Sequence, residues 1–211
     1  ADVYYTQNNG DQHEVRLDFS NIKDERLAQE MKEKVKVAYR DGGVEIGLAG
    51  RISGANNMNE GKRLKVYITS PDLVKIDLEG VGSFHSDAIN TDRLDIDNEG
   101  VGAIYLKKLL ANVVTIDNEG VGSVSITHMT GDKLDIDNEG VGSVKVGYYK
   151  GGSLKIDNEG VGSVTAKVDC QSIDASLDGV GGVTLSGTTR TYSKRKDGVG
   201  GFHDKELKVL H

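Results

Sequence analysis

The stretch LDIDNEGVGAIYL at Leu94–Leu106 returns as VTIDNEGVGSVSI at Val114–Ile126 and as LDIDNEGVGSVKV at Leu134–Val146. Its central motif Glu-Gly-Val-Gly occurs five times at intervals of 20 residues, and Gly-Val-Gly follows twice more at intervals of 19, with first glycines Gly80, Gly100, Gly120, Gly140, Gly160, Gly179 and Gly198. A fixed period near 20 residues is typical of arrays in which each unit must stack on its neighbours to bury its apolar face. The sequence therefore predicts a repeat protein.

Apolar and polar residues alternate within each unit. In a strand, Leu94 and Ile96 would lie on one face, and Ile104 and Leu106 would do the same on the next strand. The Asp-Asn-Glu-Gly segment between them predicts a turn whose glycine has positive φ. The rest of each unit, such as residues 127–133, varies in sequence, and we expect it to form a looser third side.

The same order of strand, corner and strand in every unit favours parallel pairing of one coil on the next. The predicted fold class is all-β, a right-handed parallel β-helix (β-solenoid) of about seven repeats of 19–20 residues. It would occupy residues 73–211, and residues 1–72 would cap or continue it. An up-and-down barrel or sandwich stays open, because half-units of about 10 residues could reverse direction at each corner.

The region before Pro71 has no such repeat and contains strand, turn and helix signals. In order, we expect a hairpin of Val3–Thr6 with Glu14–Phe19, a helix at Asp24–Lys34, a second hairpin of Lys34–Arg40 with Val44–Leu48, a polar loop at Gly50–Gly61 and a strand at Leu64–Thr69.

The net charge of -7 is concentrated in the repeats. Residues 75–165 hold 15 acidic against 8 basic residues, whereas the remainder balances 18 against 18. This distribution makes nucleic acid an unexpected partner. No apolar run is long enough to span a membrane, and a leader removed before Ala1 would leave the same pattern. Cys170 is the only cysteine and is expected to be a small buried residue without nucleophilic function.

Stacked repeats would align like charges in two acidic columns. The candidate calcium-binding residues are the members of these columns, Asp77, Asp97, Asp117, Asp137 and Asp157 beside Glu79, Glu99, Glu119, Glu139 and Glu159. The alternative is an exposed acidic face screened by salt, because the nonapeptide motif of calcium-binding β-rolls is missing. No catalytic or cofactor-binding residue is expected, and calcium is the one ion hypothesised, since the five histidines have no zinc-ligand spacing.

Two other repeated residue types call for an interpretation. Asn98, Asn118, Asn138 and Asn158 could form an internal amide ladder or serve only the turn, and both interpretations stay open. The serines recurring beside the corner have no recurring base, so they are interpreted as structural. The phase of Tyr105 differs from that of Tyr148 and Tyr149, so no aromatic stripe is predicted along the column.

The segments VYYTQNNGDQHEVRL and LKVYITSPDLVKIDLEGVGS, together with the tandem Gly-x-Gly corners, resemble the GIN-domain family of auto-transporter adhesin heads. The resemblance spans Val3 to about Leu207. It implies a parallel β-helix exported by Gram-negative bacteria to the periplasm, the outer membrane surface or the medium, with an adhesive function. This chain departs from the usual Ser-Gly-Ser-Gly corner of the family by placing Asn-Glu-Gly-Val-Gly there, so a relative's ligand need not be shared.

Three functions follow as hypotheses. The first is an exported, non-enzymatic surface or envelope interaction module, an adhesin, with a glycan or protein of a cell surface as partner. The second is a carbohydrate-active enzyme with clustered carboxylates. The third is a structural spacer or self-assembling solenoid that forms homo-oligomers through its terminal coil.

Overall fold

The computed structural model describes residues 1–40, 43–49 and 63–210, and most of them lie in strands. In chain order the elements are β1 (Asp2–Gln7), β2 (Glu14–Asp18), α1 (Glu25–Lys34), β3 (Val35–Arg40), β4 (Gly43–Leu48), β5 (Lys65–Ser70), β6 (Lys75–Leu78), β7 (Val81–Asn98), β8 (Val101–Asn118), β9 (Ser123–Asn138), β10 (Val141–Asn158), β11 (Val161–Leu177), β12 (Val180–Lys196) and β13 (Val199–Val209).

The strands β6 to β13 stack in parallel, which confirms the β-solenoid of about seven turns. Equivalent residues of successive units face each other, as Ile96 faces Ile116 and Ile104 faces Val124. Parallel pairing contradicts the barrel and sandwich alternative, whose neighbouring strands would run antiparallel.

The predicted aliphatic rows form the interior. Leu94, Ile96, Ile104 and Leu106 are each at most 1% exposed, and they belong to one continuous cluster that runs through the solenoid. Burial of such side chains contributes about 1.5–3 kcal/mol each, which makes this dry interior the main source of stability.

The third side is also paired from turn to turn, so the expectation of a looser segment is wrong, although register shifts occur where this side begins, as between Val146 and Tyr149. Residues 127–133 lie within β9, where Met129 pairs with Leu109 and with Tyr149. All three side chains are buried. Backbone hydrogen bonds between rungs do not depend on side-chain identity, so this side can vary in sequence and still pair.

The N-terminal region matches the predicted elements except in one pairing. The expected hairpin of β1 with β2 is wrong, because β5 lies between them, parallel to β1 and antiparallel to β2. The other edge of β1 pairs with β7, which joins this region to the solenoid. A long-range strand thus outcompetes the local turn at Asn8–Asp11.

The other N-terminal expectations hold where the structure describes them. The side chain of Asp24 accepts a hydrogen bond from Leu27 N at 3.1 Å and so caps α1. The strands β3 and β4 form the second hairpin, whose turn residues 41–42 lie outside the described residues. The polar loop predicted at residues 50–61 also lies outside them.

The corner glycines are required by the spacing of the rungs. Positive φ occurs at Gly187 and Gly200, whereas the predicted positive φ at the corner glycines such as Gly120 is wrong. A Cβ on Gly120 would lie 2.2 Å from Gly100 O of the preceding turn. Glycine is needed here because the backbone of one turn occupies the position of a side chain on the next.

Candidate functional site

The two acidic columns form as predicted along one edge of the solenoid. The aspartates of successive turns are register partners, so Asp97 pairs with Asp117 and Asp137 with Asp157. The glutamates that follow two residues later are exposed. The structure therefore places five aspartates in one row beside the parallel row of glutamates at the corner.

Lysines neutralise the ends of the aspartate row, whereas no lysine of the described residues forms an ion pair with Asp117 or Asp137 at its centre. Lys75 Nζ lies 2.7 Å from Asp97 and 3.4 Å from Asp77, and Lys155 contacts Asp157. At the centre, partial burial raises the pKa of Asp117. Burial, reinforced by Glu139 and the flanking acids, raises the pKa of Asp137 to about 6.

The columns do not converge on a single point. Among the residues that the structure describes, no group of three or more His, Cys, Asp or Glu side chains is arranged to hold a metal ion. Asp137 Oδ1 is buried and has no hydrogen-bond partner there. Calcium binding at the columns stays a prediction, and no catalytic group is assigned.

The asparagines next to these aspartates point into the interior and form the amide ladder. Each Nδ2 donates to the Oδ1 of the next turn at 2.7 Å, from Asn98 through Asn118 and Asn138 to Asn158. All four side chains are completely buried. The ladder interpretation is confirmed. Because neighbouring residues of a strand point to opposite faces, the aspartate before each buried asparagine points outward.

The corner exposes a row of valines, which we call the valine ridge. Its members are more than half exposed, from 52% at Val180 to 73% at Val199. The seven residues are Val81, Val101, Val121, Val141, Val161, Val180 and Val199. The motif spacing predicts that these valines align. Only the geometry of the coil shows that they face solvent, whereas the neighbouring aliphatic rows face the interior.

A second surface feature was missed by the sequence analysis and contradicts the expectation that no aromatic stripe exists. The rings of Tyr67, Tyr4, His85 and Tyr105 stack in this order, with centroid separations of 5.4, 5.0 and 5.0 Å. We call this row the aromatic ladder. Two of its three links depend on β1 lying between β5 and β7, a pairing that no local signal reveals.

A serine beside the ladder forms hydrogen bonds with an aspartate and a histidine, the residue types of a catalytic triad. Ser83 Oγ donates to Asp2 Oδ1 at 2.9 Å and lies 2.8 Å from His85 Nε2. In a nucleophile triad the histidine lies between serine and acid, whereas here the serine does. Ser83 is also only 4% exposed, so a structural role accounts for it. Cys170 is 5% exposed, and burial raises the pKa of its thiol, as expected for a packing residue.

These features define a class of protein, a tandem-repeat parallel β-solenoid with exposed, repeated walls. The chain belongs to the family described as "Putative auto-transporter adhesin, head GIN domain", whose model matches residues 26–189. The resemblance drawn from the sequence is thereby confirmed.

One similar solved structure agrees with this assignment. The chain is similar to a putative adhesin from Bacteroides fragilis NCTC 9343, with 26% identity, a TM-score of 0.73, and coverage of 95% of this chain and 86% of that one. A putative adhesin from Parabacteroides merdae ATCC 43184 has 14% identity and a TM-score of 0.47, covering 100% and 88% of the two chains. The comparison with curated proteins gives no match. Within the described residues, no helix has the length and apolarity to cross a membrane.

Proposed function

We propose that this chain is an exported, non-enzymatic interaction module that binds a glycan or protein of a cell surface. The binding surface is the wall that begins at the valine ridge, which we call the corner wall. In β8 its outward residues are Val101, Ala103 and Tyr105, and the register partners of these residues on other turns complete the wall.

The observation that carries this proposal is the exposure of the valine ridge. Packing does not require an apolar side chain at a position that stays more than half exposed in all seven turns. A contiguous exposed apolar row is characteristic of interaction surfaces, because water is released when a partner covers it. The ridge therefore favours a partner with apolar patches and hydrogen-bonding groups.

The family description and the similar Bacteroides structure support an adhesive rather than an enzymatic function. They also support export to the cell surface, with the periplasm, the outer membrane surface and the medium as candidate locations. Catalysis needs one constellation that differs from its surroundings, whereas the acids here repeat from turn to turn.

Binding to glycan and host-protein arrays, with and without a chelator, tests the proposal. The informative variant is Val121→Thr combined with Val141→Thr and Val161→Thr, because threonine keeps the shape and strand preference of valine but replaces one of its two exposed methyl groups with a hydroxyl. The matched control is Val113→Thr. Val113 lies in the part of β8 that precedes the next corner, outside the corner wall.

We expect a reproducible array hit that weakens in the triple variant and persists in the control. Hydrolysis of a polysaccharide that is lost with a single aspartate would contradict the proposal in favour of an enzyme. Failure to bind any array component, together with concentration-dependent oligomers, would instead favour a structural spacer.

A further inference from the structure

We propose that the open end of the aromatic ladder binds one ring of an acidic saccharide. A hexuronic acid unit would stack on Tyr105, lie over Ser125 and direct its carboxylate to Lys145. This assignment rests on the proposed function, because it names the ligand class and the subsite on the same corner wall.

The ladder is closed at one end and open at the other. The guanidinium of Arg16 lies 4.1 Å from the centroid of Tyr67 and covers the outer face of that ring. At the opposite end, the ring of Tyr105 stacks on His85 with one face. Tyr105 is 42% exposed, so its second face is accessible.

The position beyond Tyr105 has the dimensions of one ring. Ring separations of 5.0 Å along the ladder match the distance between neighbouring strands, about 4.8 Å. The register partner of Tyr105 on the next strand is Ser125, whose side chain is too short to cover a ring. A ligand ring placed over Ser125 would therefore continue the ladder by one step.

The residues around this gap determine the ligand chemistry. Lys145 is the register partner of Ser125 on the following strand, so it lies on the far side of the gap. Among the described residues Lys145 has no carboxylate within ion-pair distance, although Lys75 and Lys155 on the preceding wall do. A cation without a partner, opposite an exposed tyrosine face, fits a sugar ring that packs its C–H face on the tyrosine and carries a negative charge.

The rest of the ladder is also basic. Lys65 Nζ lies 6.0 Å from the centroid of Tyr4, and Arg16 covers Tyr67. Lys107 forms an ion pair with Asp87 at 2.7 Å, so that pair is neutral. The acidic columns project from the preceding wall, and a polyanionic chain would run along the ladder side of the corner wall.

The test is titration with an oligosaccharide of alternating glucuronic acid and N-acetylglucosamine, followed by NMR and calorimetry. The decisive variant is Ser125→Tyr, which fills the gap with the chain's own ring and extends the ladder. The matched control is Thr165→Tyr, in the same column beyond Lys145. Thermal melts establish that both variants are folded.

We expect saturable binding that is lost in Ser125→Tyr, retained in Thr165→Tyr, and about 10-fold weaker in Tyr105→Ala, since one aromatic stacking contact contributes roughly this factor. Lys145→Gln should weaken the acidic probe and leave a neutral analogue unaffected.

Equal binding of the acidic probe by wild type and Ser125→Tyr would overturn the site. Equal affinity for neutral and acidic oligosaccharides would overturn the ligand class. An array hit that depends on the valine ridge but not on Ser125→Tyr would overturn this assignment and leave the proposed function intact, whereas failure of both would overturn both.

Discussion

Asn118 Nδ2 donates a 2.7 Å hydrogen bond to Asn138 Oδ1, and both side chains are completely buried. This bond is the middle link of the amide ladder, and it satisfies two polar groups that water cannot reach. The column continues with Leu78 before Asn98 and with Leu177 after Asn158. A leucine side chain therefore fits this position. The loss of unfolding free energy when leucine replaces an asparagine thus measures the contribution of the hydrogen bonds.

Replacing Asn118 by leucine should destabilise the protein by about 3 kcal/mol, because it removes two buried hydrogen bonds and leaves Asn98 Nδ2 and Asn138 Oδ1 without partners. Replacing Asn98 should cost only about 1 kcal/mol, since Asn98 Oδ1 already lacks a partner. Urea unfolding of the two variants measures the difference. An equal loss of unfolding free energy in both variants would show that the individual hydrogen bonds of the ladder do not each contribute to stability.

Gly120→Ala should destabilise by about 3 kcal/mol or more, because its Cβ would lie 2.2 Å from Gly100 O and would force two turns apart. Gly80→Ala is the control at the same motif position, since nothing lies within 4 Å of its added Cβ. Denaturant unfolding should show this variant close to wild type. A large loss for Gly80→Ala would instead mean that the corner backbone itself requires glycine.

Asp137→Asn should stabilise the protein at neutral pH. The pKa of Asp137 is raised to about 6 in the folded state, so ionising it above that pH costs folding free energy. The variant should gain about 1 kcal/mol above pH 6, a value reduced for partial exposure. This gain should shrink between about pH 6 and pH 4 and vanish below.

Melting temperatures of wild type and Asp137→Asn across pH 3 to 8 provide the measurement. Asp157→Asn is the matched control, because Asp157 contacts Lys155 and its replacement removes an ion pair. We expect no stabilisation from that variant. A gain for Asp137→Asn that does not depend on pH would contradict the electrostatic explanation.

Sodium chloride should raise the melting temperature between about 10 and 150 mM, because the Debye length falls from about 30 to 8 Å and the acidic columns repel each other less. A chelator should leave the melting temperature unchanged, since Lys75 and Lys155 already neutralise part of the aspartate row. Stabilisation by micromolar calcium at constant ionic strength would support the calcium sites instead.

Repetition made the solenoid predictable from the sequence. The 20-residue period fixes which residues become neighbours, and alternation fixes which of them face inward, so Leu94 and Ile96 could be assigned to the core without coordinates. The acidic columns and the asparagine row follow from the same register. Both expectations require only that each turn lies on the one before it.

Features outside the repeat could not be deduced in this way. A local turn signal at Asn8–Asp11 predicted that β1 and β2 pair, but β5 lies between them. The partner of a strand depends on all the strands that could pair with its edge, and a local turn signal does not reveal the distant ones. The variable third side likewise lacks a sequence signature because its pairing uses the backbone.

The sequence by itself determined the period, the core rows and the family, since all three depend on residue order alone. Tertiary structure decided which side chains share a surface when they come from unrelated segments. The aromatic ladder exists because β1 docks between β5 and β7 and brings Tyr4 between Tyr67 and His85. Such contacts between distant segments depend on how whole edges compete for hydrogen bonds, a competition that is settled only when the chain has folded.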